Sequence, residues 1–367
     1  MKQTIVVKLI PSADQHAALL ATMKRFNTAC NHIAGVAFER RMANKIALQK
    51  LVYYQVRERF GLSSQLTVRA IAKVVEAYKR DKTVQPAFRP HGAVCYDQRI
   101  MSWKGVEEVS LLTLAGRKLI PVRFGTYQAA RLDRRQGQAD LVLKDRVFYL
   151  YVTIDVPVSP KGEPDDYLGL DLGIVNLAVD SDGTTYSGEA AERNRRIDAH
   201  RRRNLQRKGT KAAKRKLRQL GRRRSRWQRN ENHRISKAVV RNAKGTRRGL
   251  ALEDLKGIRD RTEQTVRRRQ RARHGNWSFH QLRSFVEYKA RMAGVRVVAV
   301  DPRNTSRTCP ECGHCERANR PSRDRFRCQA CGLAAPADWI AARNIRARAA
   351  VMRPNDGGDP AKVPEAA

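Results

Sequence analysis

The sequence predicts an α/β domain with an inserted zinc ribbon, preceded by an all-β barrel that carries an α-helical lobe as an insertion. Three observations predict it. Tyr167 to Asp180 reads YLGLDLGIVNLAVD, two apolar runs around a lone acid, the pattern of a core strand that delivers one carboxylate and turns back as a hairpin. Between Cys309 and Cys331 two C-x2-C pairs stand fifteen residues apart, a spacing that suits tetrahedral zinc. From Gln85 onward helical periodicity gives way to short apolar runs broken by Gly, Pro and Asp, the texture of antiparallel strands.

With 367 residues the chain can hold two or three domains with their own cores. Its 75 Lys and Arg against 35 Asp and Glu leave a formal charge of +40. Self-repulsion on that scale opposes a compact chain unless a polyanion neutralises it, so nucleic acid is the expected partner. No apolar run reaches the roughly eighteen residues of a membrane span, and MKQTIVVKLIPS lacks the pattern of a signal peptide. A soluble, cytoplasmic protein with no membrane partner is expected. Five of the seven cysteines fall between Cys309 and Cys331, which in a reducing compartment points to metal rather than disulfides.

Residues 3–10 read as a strand, ended by Pro11, with Ser12 placed to cap a helix. In that helix Leu19, Met23, Phe26, Cys30 and Ile33 share one apolar face, which makes Cys30 a core residue. Helical patterns over 43–59 and 65–79 complete a lobe spanning residues 11–84. Residues 1–10 and 85–160 then supply the barrel, with about five strands over 85–160 that the N-terminal strand can join, and a hairpin turning at Asp145 and Arg146. Tyr96, Trp103, Tyr127 and Tyr149 suit core or rim packing, and also base stacking, packing being the plainer reading. The polar stretch SPKGEPDD, residues 159–166, marks a domain boundary.

An ionised carboxylate is rarely buried without a partner, and a bound cation is the usual one where no arginine lies alongside. Asp171 is therefore read as a metal ligand. Glu253 ends a short strand, Gly249 to Leu252, where it would meet Asp171 from a neighbouring strand; Asp254 is a rival that alternation turns to the other face. Asp338 opens a helix directly after the cysteine cluster, a place equally natural for a helix cap. Cys309, Cys312, Cys328 and Cys331 are expected to hold a structural zinc, since four thiolates leave no open position for substrate. Gly313 and Gly332 follow the second cysteine of each pair, whereas a site shifted to Cys312 and Cys315 would lack that glycine and leave Cys309 unused.

Between Arg193 and Arg229 there are 18 Lys or Arg and one acid, Asp198. Leu205, Leu217, Leu220 and Trp227 interrupt the run at helical spacings, and Lys208, Gly209 and Thr210 can turn two helices back on each other. A basic hairpin gripping a phosphate backbone is expected, with Arg201, Arg202, Arg203, Arg207, Lys208, Lys211, Lys214, Arg215, Arg222, Arg223 and Arg224 as its contacts. The pattern continues with Ile235, Ala238 and Val239 inward. Residues 256–275 read as a basic loop, either a flap over the metal site or plain disorder. A helix follows with Phe279, Leu282, Phe285 and Tyr288 on one face, then a buried strand, VRVVAVD, and a disordered tail over 352–367.

LGLDLGIVNLAV, LEDL, TSRTCPECG and ADWIAARNI occur in that order. So arranged they resemble the split RuvC nuclease domain of transposon-encoded TnpB proteins and of the related type V CRISPR effectors, over roughly residues 165–350. HRISKAVV and EYKARMAG resemble the family's connecting helices. The resemblance implies an RNase H-like (RuvC) nuclease domain over 165–302 and 336–351 with the zinc ribbon inserted at 303–335, a wedge-type β-barrel, and a helical recognition lobe. It implies that Asp171, Glu253 and Asp338 form a triad using two Mg²⁺ ions, or Mn²⁺, to hydrolyse phosphodiesters. The implied partners are a guide RNA derived from the transposon end and target double-stranded DNA cut beside a short flanking motif. Trp339 stands where relatives often carry a smaller or polar residue. A compact type V effector, an RNA-guided regulator that does not cut, and an unguided transposase stay open as alternatives.

Overall fold

The computed structural model describes residues 1–160, 162–254 and 279–352. The basic loop expected over 256–275 and residues 353–367 of the expected tail lie outside the described residues. The chain divides into two compact units, Met1–Pro157 and Val158–Ala367.

In the first unit, β1 (Lys2–Leu9) runs directly into α1 (Ala13–Glu39), and Ser12 and Gln15 form a reciprocal capping box at the junction. Helices α2 (Lys45–Phe60) and α3 (Ser64–Arg80) follow. Leu19, Met23, Phe26, Cys30 and Ile33 are fully buried, and burial pushes the Cys30 thiol up to about 12. Strands β2 (Val94–Asp97), β3 (Met101–Lys104), β4 (Glu108–Thr113), β5 (Gly116–Arg123), β6 (Arg135–Lys144) and β7 (Val147–Asp155) complete the unit, with the short helix α4 (Thr126–Ala129) between β5 and β6.

These strands and β1 make one seven-stranded sheet, in the order β2-β6-β7-β1-β5-β4-β3, where the sequence predicts about five over 85–160 with the N-terminal strand joining them. The difference lies in VCYDQRIMSWK, which reads as one run but breaks after Asp97, where the Ile100 amide turns back to the Asp97 carbonyl at 3.0 Å. That turn joins the two edge strands, and Tyr96 Oη donates to the Leu112 carbonyl at 2.9 Å, so the sheet nearly closes on itself. Because β1 pairs with both β5 and β7, the three long helices are an insertion between the first strand and the rest of its sheet. Asp145 and Arg146 both adopt left-handed φ, 56° and 65°, in the two-residue turn between β6 and β7. Tyr96 is core, Trp103 and Tyr149 are half-buried, and Tyr127 is 49% exposed with the Arg131 guanidinium 3.9 Å from its ring centre.

The second unit holds β8 (Tyr167–Asp171), β9 (Asn176–Asp180), β10 (Thr185–Ser187), α5 (Glu189–Lys208), α6 (Lys211–Gly245), β11 (Gly249–Glu253), α7 (Phe279–Ala293), β12 (Val297–Val300), β13 (Arg325–Arg327), β14 (Ala334–Pro336) and α8 (Ala337–Val351). Its main sheet has the order β10-β9-β8-β11-β12, with β9 antiparallel to both neighbours and β8, β11 and β12 parallel. Alternation sends Leu168, Leu170, Leu250 and Leu252 to one face, where they pack with Ile235 and Val239 of α6 and Leu282 and Val286 of α7. The other face, with Tyr167, Ala251 and Val300, is covered by Ile345 and Ala349 of α8.

Two expectations are corrected here. The buried line of α7 is Leu282, Val286 and Ala290, while Phe285 and Tyr288 are only half-buried; Phe285 stacks on His233 with ring centres 4.1 Å apart. And β12 is an edge strand of which only Val300 is fully buried, because no further strand covers it among the described residues.

Helix α8 lies directly on β8. A Cβ at Gly169 would stand 2.1 Å from the Ala342 carbonyl oxygen and 2.7 Å from the Arg346 amide, both backbone atoms that cannot swing aside. Gly169→Ala is therefore expected to destabilise the protein by about 1–3 kcal/mol. Gly221→Ala in α6, where a Cβ meets nothing within 4 Å, should instead stabilise by about 0.5–1 kcal/mol. Urea unfolding of the two variants beside the parent checks both signs.

Candidate active site

Asp171 and Glu253 lie on the sheet face that α8 covers. Leu170 of β8 pairs with Leu252 of β11 in parallel register, so Asp171 and Glu253 stand one position further on, side by side at the C-terminal ends of neighbouring strands. Asp338 arrives from the first turn of α8. It is not a cap: the helix N-cap is Pro336, with no side-chain capping bond, and Asp338 Oδ2 instead accepts a 2.8 Å hydrogen bond from Asn176 Nδ2 at the start of β9. Asp254 belongs elsewhere, 3.9 Å from the Arg283 guanidinium.

The electrostatics are those of like charges crowded together. Loss of solvent, then the neighbouring charges of Glu253 and Asp338, hold the Asp171 carboxyl well above the usual carboxylate range, and Arg320 offsets this only in part. Burial raises Glu253 as well, against the pull of the Thr305 hydroxyl and Arg348. Thr305 Oγ1 donates to Glu253 Oε1 at 2.5 Å, and the Arg320 guanidinium is 4.0 Å from Asp338 Oδ1. Three hard oxygen donors with one arginine among them suit a divalent cation such as Mg²⁺ or Mn²⁺. Among the described residues, though, only the four cysteines bring three or more ligand atoms all within 4.8 Å of one another.

Those cysteines are Cys309, Cys312, Cys328 and Cys331. The Cys309 and Cys331 sulfurs are 3.6 Å apart and those of Cys312 and Cys328 3.5 Å, close to the roughly 3.8 Å edge of a tetrahedron with Zn–S bonds of about 2.3 Å. Each C-x2-C pair closes alike: the Gly313 amide donates to the Cys309 carbonyl and the Gly332 amide to that of Cys328, both at 3.1 Å, with left-handed φ of 74° and 79°. The Cys331 amide is the largest influence drawing the Cys328 thiol down to about 6, toward the thiolate that zinc requires. Cys315 is exposed and outside the cluster. Cys309, Phe326 and Cys328 share a buried cluster with Ala337 and Ile340, so the ribbon and the start of α8 have one core. Trp339 donates its Nε1 hydrogen to the Ser181 carbonyl at 3.2 Å and lies under the Arg343 guanidinium, which fastens α8 to the turn between β9 and β10.

Helices α5 and α6 form the expected hairpin, with Gly209 left-handed and Thr210 capping α6. Ten of the eleven candidate contacts are exposed; Arg224 is half-buried, and loss of solvent followed by the charge of Arg202 lowers its pKa. Leu205, Leu217, Leu220 and Trp227 are half-buried, and beyond them Ile235 and Val239 anchor α6 in the core, with Ala238 at its margin. Asn176, Thr305 and Arg320 were not found from the sequence. Asn176 and Thr305 lie within LGLDLGIVNLAV and TSRTCPECG, but their contacts are tertiary and nothing local gives them a role, and Arg320 is one arginine among many.

The sign of the Asp171 shift fixes a pH dependence. A carboxyl whose pKa is raised by folding costs stability once ionised, so its contribution is favourable at low pH and is lost as pH rises from about 4 through the folded-state value. The metal-free Asp171→Asn variant should therefore melt above the parent at pH 8, converge with it near pH 4, and alone fail to gain stability on adding Mg²⁺; differential scanning fluorimetry across pH checks this. For the ribbon, elemental analysis should find a single zinc per chain, kept in Cys315→Ser and lost in Cys328→Ser.

Comparison with known proteins bears on both sites. The family model described as "Probable transposase" matches residues 149–258, and that described as "Cas12f1-like, TNB domain" matches 279–345. The chain is 33% identical over 211 residues to "Putative RNA-guided DNA endonuclease InsQ" of Escherichia coli (strain K12), covering 53% of this chain and 51% of that protein. It is 34% identical over 113 residues to "TnpB-like protein MJ0751" of Methanocaldococcus jannaschii, covering 31% of this chain and 40% of that one. The chain thus spans about half the length, or less, of these curated relatives. Among solved structures it is similar to the Cas12f1 chain of a Cas12f1-sgRNA-target DNA complex, at a TM-score of 0.60 and 16% identity, covering 89% of this chain and 82% of that one, a likeness of fold. In the described residues no helix is long and apolar enough to cross a membrane. These matches fall on residues 149–258 and 279–345, and there the chain is similar to a transposase family, to a TnpB-like protein and to a putative RNA-guided DNA endonuclease.

Proposed function

We propose that this protein is an RNA-guided DNA endonuclease that cleaves double-stranded DNA beside a short flanking motif, in the cytoplasm of a cell carrying the associated transposon. The observation that carries the reading is the convergence of Asp171, Glu253 and Asp338 on one sheet face, with more negative charge than Arg320 offsets. These three residues would hold the divalent ions, two Mg²⁺ in this reading, within an RNase H-like (RuvC) domain. Ions held there would supply Lewis-acid chemistry, activation of a water and stabilisation of the leaving oxygen, for an in-line phosphodiester displacement. The chain's own groups set the stage: Asn176 fixes the Asp338 carboxylate, Thr305 fixes that of Glu253, and Arg320 brings positive charge beside Asp338, where it would attract a phosphate.

Residues 1–10 and 85–160 serve as the wedge-type barrel and 11–84 as the recognition lobe, which read the flanking duplex; 165–302 and 336–351 are the nuclease domain and 303–335 the structural ribbon. The exposed arginines and lysines of α5 and α6 hold phosphate backbone without reading sequence, which base pairing with a guide supplies. The name of InsQ and the RNA and DNA in the Cas12f1 complex support this assignment of partners, and the transposase description supports a guide that originates at a transposon end.

The test begins by expressing the gene with its native flanking DNA and sequencing the RNA that stays bound through a high-salt purification. One defined RNA with a constant scaffold and a variable end is expected, and DNA matching that end should be cut in Mg²⁺. Asp171→Ala should lower the cutting rate at least about a thousand-fold, or about 4 kcal/mol, with the RNA still bound. A smear of host RNA, or strand-transfer products from transposon-end DNA without RNA, would give the protein to the unguided transposase reading.

A further inference from the structure

Two uncharged side chains connect the carboxylates that the metal reading requires. Thr305 and Asn344 are 3% and 6% exposed. Thr305 lies in the loop after β12, and its hydroxyl reaches Glu253 Oε1 at 2.5 Å and the Pro302 carbonyl at 3.2 Å. A hydroxyl has one hydrogen, and an ionised carboxylate at the shorter distance is the stronger acceptor. The carbonyl of the same residue accepts from Asn344 Nδ2 at 2.7 Å, and the second hydrogen of that amide goes to the Thr308 carbonyl, also at 2.7 Å. Asn344 sits six residues after Asp338 on the same helix, and Thr308 directly precedes the zinc-ligand position Cys309.

We propose that Thr305 and Asn344 are positioning residues: through Glu253–Thr305–Asn344 and the rigid turns of α8 they fix the separation of Glu253 and Asp338, and thereby set the affinity of the carboxylate site for divalent cations. The inference rests on the metal reading above. Asn176 completes the ring from the other side, since it bonds Asp338 and lies five residues after Asp171 on the same hairpin. Glu253 and Asp338 thus each accept from a neutral side chain, which orients the carboxylate without neutralising it. An arginine in place of Thr305 would hold Glu253 more strongly and compete with the cation for its charge. The alternative is that Thr305 merely closes its own turn on Pro302 and that Asn344 merely satisfies two buried carbonyls. A structural role of that kind would appear in stability and zinc content and leave cation affinity alone.

The test compares the full chain with Thr305→Val, which keeps the shape and removes the hydroxyl, and Thr305→Ser, which keeps the hydroxyl. Mn²⁺ binding is followed by loss of the free-ion signal in electron paramagnetic resonance, beside thermal melts, zinc analysis and the Mg²⁺ dependence of cleavage. Thr305→Val is expected to weaken Mn²⁺ binding about 10–100-fold and to raise the Mg²⁺ needed for half-maximal cleavage by the same factor, with zinc content unchanged. Thr305→Ser should restore both. Parental Mn²⁺ affinity in Thr305→Val overturns the proposal, as does a Thr305→Ser variant as weak as Thr305→Val, or weakened binding that tracks loss of zinc. If the parent shows no Mn²⁺ site that Asp171→Asn removes, the metal reading itself falls and the relay with it.

Discussion

The second unit is built around one costly juxtaposition, the collection of three carboxylates on one face of a sheet. Two like charges about 5 Å apart repel by about 3 kcal/mol at an effective dielectric constant near 20, and burial adds to this by stripping water from Asp171. A fold selected for stability alone would disperse them. Here the register of β8 with β11, the bare backbone at Gly169 and the first turn of α8 converge to bring them together. The groups that touch the carboxylates, Asn176 and Thr305, are neutral, so their charge is kept available for a cation.

The ribbon is part of that construction rather than an appendage. Two of its cysteines share a core with Ala337 and Ile340, the residues on either side of Asp338 and its neighbour Trp339. The strand that closes the ribbon, β14, passes into α8 without an intervening loop. Displacement of the knuckles would therefore shift the first turn of α8. Zinc held by the four thiolates, with binding energy of the kind that folds small zinc domains outright, would in this arrangement also orient the proposed oxygen-ligand site, of quite different chemistry.

Much of this was readable because strand alternation and cysteine spacing are local signals. A lone Asp after YLGL and a lone Glu after GLAL each announce one polar position on a buried strand, and C-x2-C announces its own turn. What failed to show was decided by contacts distant in sequence. Phe285 counts as apolar in any helical pattern, yet stacks on His233 at the edge of the core while the smaller Val286 and Ala290 fill it. VRVVAVD has the composition of a central strand, and only the strand order makes β12 an edge. The break at Asp97 hid two strands of four residues within one apparent run. Arg320 carries no pattern at all, and Thr305 only its place at the head of TSRTCPECG; their significance lies in what stands opposite.

The charge of α5 and α6 presents the converse problem. A helix made of arginine and lysine repels itself, and opposite charges at i, i+3 or i, i+4 are the usual remedy. The remedy is applied sparingly: Glu192 holds Arg195 and Arg196 near the start of the hairpin, and Glu231 holds Arg234 where α6 approaches the core. Between those points lies most of the cationic surface, including the turn at Gly209. The core end of α6 is held by Ile235, Val239 and Ala243, so the repulsion is concentrated on the outer half, where half-buried leucines, Trp227, the buried Ala213 and the charge of Asp198 oppose it. A polyanion laid along that half would remove the repulsion and gain by counterion release. In the proposed function the hairpin would therefore be the part of the unit whose stability depends most on ionic strength and on bound nucleic acid, and the carboxylate site the part that depends on a divalent ion. Opposite excesses of charge, each incomplete without its own counter-charge, are placed in one unit of one chain.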